Sequence, residues 1–477
     1  MSTVISGDNQ ITGPLTVGFG GGQLTSNVAV GLQALNANTT GQANTAIGYN
    51  TLTLNTIGQQ NTAVGFSAAY TNTTGSYNTA IGQNASLSNS TGQQNVAVGY
   101  QALYYNTTNY NTAVGSSALQ NNTSGTPNDA FGYQALYSNT TGQNNVAIGF
   151  QAMFSNTTGQ YSVAIGTGAM YYNTTNNNTA VGYASLQKNT TASNNSAFGF
   201  QALNNNTTGT PNDAFGYQAL YNNTTGSYNV AVGYQSLYTN TTGTTSTAIG
   251  AQALYLQTTA TQNTAVGNAA GYYVTTGTGN TLLGVNAAAS GSTLTTGSNN
   301  VVIGYNASSS GSGAQNQIVI GQAGVGQGDN YVTLGKGGTN YIYNQFNTNA
   351  TWTKASDKRI KTNVKPDTLG LSFINRLNPV TFNWLPSNEI PTDIIGYNEE
   401  NTQDTETIMH GMIAQDVKAA IDAEGAVNFA GWDIREADGL QGVSNEMFVL
   451  PLINAVKELA AKVEALEAQL AKATPTV

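Results

Sequence analysis

Cysteine is absent from the chain and histidine occurs once, as His410, so disulfides, thiolate metal sites and histidine clusters are all excluded. No metal and no cofactor is expected. Charge is nearly as scarce: 7% of the 477 residues are charged, where soluble domains usually carry about 25%. Residues 1–340 contain no Glu and no Arg; their charges are Asp8, Asp129, Asp213, Asp329, Lys188 and Lys336. The remaining 137 residues hold the other 18 acids and 11 bases (22 − 4 and 13 − 2). Two segments built on different rules are therefore expected. A net charge of −9 with no basic stripe excludes nucleic acid as a partner. The first residues show neither a basic n-region nor an apolar h-region, so no secretory signal is expected. No apolar run approaches the ~20 residues that span a bilayer, so membrane insertion is not expected either.

What the first segment has instead is repetition. The pentamer Asn-x-Ala-x-Gly, with small variations, starts at Asn27 and recurs to Gln317 in eighteen copies. Nearly every step is 17 residues; two are 16 and one is 20. A second block lies between pentamers, as in the ten residues from Tyr133 to Gly142. Thr-Ala-Val and Gln-Ala-Leu read as short alternating strands. Asn-Thr-Thr-Gly and the Gly closing each pentamer read as turns. A unit of two short strands and two turns cannot bury its own face, but stacked units can. The expectation is a solenoid rising ~4.8 Å per coil, or very roughly 85 Å over eighteen coils. Identical residues then fall above one another, so Asn and Thr can form ladders along the axis. A charged residue at a repeated position would stack on its like, which accounts for the missing charge. Few large aliphatic residues occur per coil, so association of several chains is expected to bury the remaining apolar strand face. The Asn-x-Thr triplets, such as the one at Asn38, read as turn chemistry rather than glycosylation acceptors. Aromatics recur in one register at Tyr104, Tyr137, Phe154, Tyr171, Tyr221 and Tyr238. They read as a structural ladder fixing register, with a carbohydrate-stacking surface as the other reading.

These pentamers resemble the head repeats of trimeric autotransporter adhesins. The resemblance covers residues 27 to about 335 and implies a left-handed parallel β-roll packed as a homotrimer. Such repeats also occur in virus fibres. Residues 1–26 precede the first repeat as an attachment module or a simple cap. Residues 336–355 form a distal cap or tip and a linker.

Beyond residue 350 the period disappears. Residues 369–377 suggest a short helix, Pro379 to Trp384 a strand, and His410 to Ile421 a strand entering a helix. Leu452, Val456, Leu459, Val463, Leu466 and Leu470 are spaced 4, 3, 4, 3, 4, a heptad seam within a terminal helix over 450–472. Lys462 and Glu467 suit an interchain pair in a parallel bundle, and an isolated helix of this length is marginal.

Four stretches in this segment carry a second resemblance. They are Ser356 to Lys361, Leu377 to Trp384, His410 to Val417 and Ala455 to Leu459. Together they resemble the intramolecular chaperone auto-processing domain of phage tail fibres and tailspikes. The resemblance implies a domain over 356–477 that trimerises, nucleates folding of the preceding β-structure and then cuts itself off between Ala355 and Ser356. It maps the nucleophile to Ser356, its basic partner to Lys361 and a supporting role to Arg359; His410 and Gln415 fall in the second motif. The chemistry suits the residue types. Serine needs a base to take its proton, a lysine can serve where burial or nearby cations favour its neutral form, and a nucleophile built into the chain has a high effective molarity.

The expected fold is mainly β: a trimeric β-roll shaft followed by a small α+β chaperone domain with a coiled-coil helix. The expected function is that of a virion tail fibre or tailspike subunit, made in the host cytoplasm. It would join the tail or baseplate through its N-terminus and bind a host-surface glycan or protein. A bacterial trimeric surface adhesin is the alternative. Cleavage would be a single turnover by a serine endopeptidase. Polysaccharide cleavage is not expected, because it needs paired carboxylates and the shaft has isolated aspartates only.

Overall fold

The structure of the chain is a computed structural model. It describes residues 17–337, 341–345 and 358–473, apart from 393, 395, 396, 398, 402, 403, 428 and 436–438. The chain divides into two compact units, residues 1–356 and 357–477.

The first unit is a β-solenoid of about eighteen coils. Each pentamer supplies one three- or four-residue strand, such as Thr45–Ile47 or Asn145–Ile148. Each strand pairs in parallel with the equivalent strand of the next coil, in strict register: Ala29 lies over Ala46, Ala46 over Ala63, and Ala63 over Ala80. The result is one continuous 21-stranded sheet. Both of its ends turn back. Val17–Gly18 pairs antiparallel with Val28–Val30, and Tyr341–Gln345 pairs antiparallel with Tyr331–Gly335. Such reversed strands occupy the edges on which further parallel strands would otherwise add.

The strand alternation is clean. The central Ala is buried, while its neighbours face outward: Ile47, Ile81, Ile148 and Ile165 are 37–39% exposed. The core is accordingly thin, a column of alanines against a column of Leu or Met such as Leu136 and Met153.

The second strand expected at Gln-Ala-Leu is not formed. Gln134 and Leu136 both adopt left-handed backbone conformations, with φ of 54° and 52°, and the same pair recurs at Gln101 and Leu103 and at Gln218 and Leu220. An extended strand would send Ala135 and Leu136 to opposite faces. The two left-handed residues turn both into the core, where both are fully buried. Coil-to-coil bonding persists there, as in Leu136 N–H donating to Ala152 O at 3.0 Å.

Amide ladders complete the interior. Asn139 Nδ2 donates to Asn122 Oδ1 at 2.8 Å and to Gly142 O at 3.1 Å, and Asn156 Nδ2 donates to Asn139 Oδ1 at 3.0 Å. A second ladder runs through the pentamer asparagines, as when Asn61 N–H donates to Asn44 Oδ1. Buried polar groups are costly unless paired, and here stacking supplies the pairs. The glycine closing each pentamer is obligatory for two reasons. Gly149 has φ of 135°, and a Cβ there would lie 2.6 Å from Gly166 O.

The aromatic register is present as stacks: Tyr137, Phe154 and Tyr171 at 5.1 and 5.0 Å, and Tyr221, Tyr238, Tyr255 and Tyr272 at 5.4, 5.2 and 5.0 Å. Tyr104 instead meets Tyr105 edge-on. A further stack, Tyr183, Phe200, Tyr217 and Tyr234, follows the pentamer glycine and was not anticipated.

The second unit is small and α+β. Helix α1 spans Leu371–Ile374, α2 spans Ala414–Ala423 and α3 spans Val449–Ala473, entered through a 3-10 turn at Asn445–Phe448. Two short antiparallel pairs accompany them, Pro379–Phe382 with Met409–Met412 and Trp432–Ile434 with Gln441–Val443. Among the described residues no helix is long and apolar enough to cross a membrane.

Candidate functional site in the C-terminal unit

Two of the motifs singled out in the sequence meet as a β-ladder. Pro379–Phe382 lies antiparallel to Met409–Met412, with His410 opposite Thr381. The second strand passes through Ile413 directly into α2, whose first turn carries Gln415. Both strand and helix are held from below. Val417, Ala420 and Ile421 of α2 pack with Leu369, Phe373 and Phe448 in one buried cluster. Phe429 bridges this cluster, its ring 5.6 Å from Phe373 and 5.3 Å from Phe448.

Polar contacts fix how the helices meet. Glu424, just past α2, accepts from Ser372 Oγ at 2.7 Å and Arg376 Nε at 2.8 Å. Those two bonds, with the Arg376 charge, hold its carboxyl below the usual glutamate range. Asp404 is likewise lowered, by bonds from Thr407 and Glu406. The start of α3 clamps the loop into α1. Asn454 Nδ2 donates to Leu369 O at 3.1 Å, and the backbone N–H of Leu371 donates to Glu458 Oε2 at 3.2 Å. Glu458 therefore satisfies an orphan amide of the first turn of α1. Neither Asn454 nor Glu458 stands out in the sequence, because a helical Asn or Glu is ordinarily solvated and only the fold brings residue 371 beside it.

The predicted site residues are distributed as follows. Ala355 and Ser356 lie outside the described residues. Arg359 sits in a 3-10 turn at Lys358–Ile360, and Lys361 follows it; both are exposed. His410 and Gln415 are exposed as well, on the ladder strand and on α2. The heptad seam of α3 is uncovered: Leu459, Val463, Leu466 and Leu470 are 46–68% exposed, whereas Ala455 is buried. The helix is thus anchored at its start and exposes its apolar seam along its second half.

Residues 356–426 match the family described as chaperone of endosialidase. No curated protein matches the chain. The matched segment begins at Ser356 and contains the ladder strands, α1 and α2. The chain thus joins a β-solenoid shaft to a C-terminal chaperone-of-endosialidase segment.

Proposed function

We propose that this chain is a tail fibre or tailspike subunit of a phage. In this reading it assembles as a homotrimer through its C-terminal segment, which folds the shaft and then cuts itself off before Ser356. The observation that carries the reading is the succession itself: a highly repetitive solenoid followed at once by a segment of the chaperone family. Residues 1–26 join the particle, and the shaft or its distal end attaches to the host surface.

A one-coil slip between chains stacks Thr-Ala-Ile on Thr-Ala-Val and costs almost nothing, so the shaft alone cannot choose its register. A partner that associates first removes the ambiguity. The exposed Leu and Val seam of α3 suits that role, because association buries it. The outward Ile and Val column of the shaft would be buried next, as chains align coil on coil.

Cleavage then proceeds within one chain. Ser356 Oγ attacks the carbonyl carbon of Ala355 while the neutral amine of Lys361 takes the hydroxyl proton. The C–N bond breaks, the proton passes to the departing nitrogen, and an ester joins Ala355 to Ser356 Oγ. Water opens that ester, leaving a carboxylate on Ala355 and restoring the hydroxyl. Arg359 and His410 support the site. A neutral lysine requires enclosure away from water. Lys361 is exposed in the single chain, so enclosure by partner subunits makes cleavage follow assembly.

Intact-mass measurement on freshly made protein tests this. Fragments of residues 1–355 and 356–477 are expected, and Ser356→Ala or Lys361→Ala leaves the full chain. A wild-type chain that stays whole after trimerisation refutes the protease step. A shaft that folds and trimerises without residues 356–477 refutes the chaperone role.

A further inference from the structure

On one flank of the shaft, a shallow trough of about 470 Å³ runs across four coils. Asn205 and Asn222 form one wall and Thr207, Thr224 and Thr241 the other, with Lys188 at one end. No residue of the outward strand face lines it. From residue 27 to 335 Lys188 is the sole basic residue, at a position that later coils fill with Asn205, Asn222 and Thr239. It is exposed, and among the described residues it forms no ion pair.

The walls have a definite hydrogen-bonding character. Thr207 Oγ1 donates to Thr224 O, Thr224 Oγ1 to Thr241 O and Thr241 Oγ1 to Thr258 O, at 3.0 to 3.2 Å. Each hydroxyl proton is thereby committed, and each oxygen keeps lone pairs to accept from a ligand. Opposite, Asn205 Nδ2 donates to Asn222 Oδ1 at 3.3 Å, which leaves the Asn222 amide protons as donors. The trough therefore presents acceptors on one side and donors on the other, a pattern that suits a ligand rich in hydroxyls.

An aromatic column runs along the position that precedes the asparagine wall in sequence. The column of Tyr272, Tyr255, Tyr238 and Tyr221 ends at Tyr221, because the two preceding coils place Asn204 and Gln187 there. Among the described residues no ring stacks on the other face of Tyr221. Lys188 lies two coils from Asn222, and its backbone N–H bonds to Asn204 O in the coil between them at 3.0 Å.

We propose that this trough is a saccharide-binding site selective for an acidic sugar. Ring hydroxyls meet the threonine and asparagine walls, and Lys188 pairs with a carboxylate or phosphate on the sugar. The proposal rests on the attachment reading above and names the ligand class it would use.

The test is an array of oligosaccharides bearing uronic acid, sialic acid or phosphate, each printed beside its neutral counterpart. It is probed with the purified full-chain protein and with Lys188→Gln and Asn222→Ala. Wild type is expected to prefer an acidic member over its neutral partner by roughly five- to tenfold, as one weakly screened charge pair allows. Lys188→Gln removes the preference, and Asn222→Ala weakens both members. Carboxylate and phosphate spots separate the two sources of charge. Unfolding curves check that the exposed Lys188 change leaves the shaft intact. Absence of binding to any acidic sugar, or a preference that survives Lys188→Gln, overturns the proposal. Retention of the protein on a panel of bacterial cells tests attachment separately. Cell binding unaffected by Lys188→Gln removes the trough but spares attachment. Lysine-dependent sugar binding without cell binding removes attachment but spares the trough.

Discussion

Replacing Asn139 by aspartate exchanges a single NH₂ for an oxygen in the middle of the amide ladder. The native Nδ2 makes two buried bonds, 2.8 Å to Asn122 Oδ1 and 3.1 Å to Gly142 O. Each is worth ~1 kcal/mol net. Gly142 O keeps the bond it accepts from Asn128 Nδ2 at 2.9 Å, whereas Asn122 Oδ1 is left dry at a further ~1–3 kcal/mol, so a loss of about 3–5 kcal/mol per chain is expected at neutral pH. The new carboxyl is enclosed among acceptors, so its folded-state pKa rises above its unfolded value. The stability of the variant is then fully present below the unfolded pKa of about 4 and declines as pH rises through the folded value. Protonation also returns one donor. Asn139→Ala loses the same two bonds and the one accepted from Asn156, with no pH dependence of its own. Solenoid coils unfold locally, so hydrogen exchange of residues 122–156 is the assay, backed by guanidinium unfolding across pH. The exposed Thr141→Asp is the control. If Asn139→Asp is no more destabilised than Thr141→Asp, or if its deficit is flat with pH, the ladder does not carry the stability assigned to it.

Two further outcomes concern the C-terminal unit. Glu424 has a lowered folded-state pKa, so its contribution is present above the usual glutamate range and is lost as pH falls through the lowered value; Glu424→Gln should flatten the acid limb of unfolding of isolated wild-type and variant chains. Leu459→Glu with Val463→Glu places charge on the uncovered seam of α3, and sedimentation should show loss of trimer with the secondary structure of the unit retained. A trimer that survives both changes removes α3 from the assembly interface.

Much of the shaft was legible because stacking turns sequence period directly into contact. A 17-residue step puts Ala over Ala and Asn over Asn, and nothing beyond the nearest coil is needed to pair them. Gln-Ala-Leu misled because hydrophobic alternation says nothing about backbone handedness. Turning both Ala135 and Leu136 inward needs left-handed residues on a polar Gln and an apolar Leu, conformations that local propensity does not announce.

The C-terminal unit divides the same way. The heptad of α3 and the strand-to-helix order at His410–Ala423 follow from local pattern, which the chain itself carries. The contacts that set the unit's architecture do not: Glu424 with Ser372 and Arg376, and Glu458 with the amide of Leu371, join residues 48 to 87 positions apart. Short-range order therefore determined the solenoid, its missing charge and the heptad seam. Only the tertiary structure decided how the ladder strand meets α2, where α3 is anchored, and that the lone lysine of the shaft stands at one end of a trough walled by threonine and asparagine. The reason is that a repeat specifies its neighbour one period away, whereas these contacts arise only once distant segments share a core.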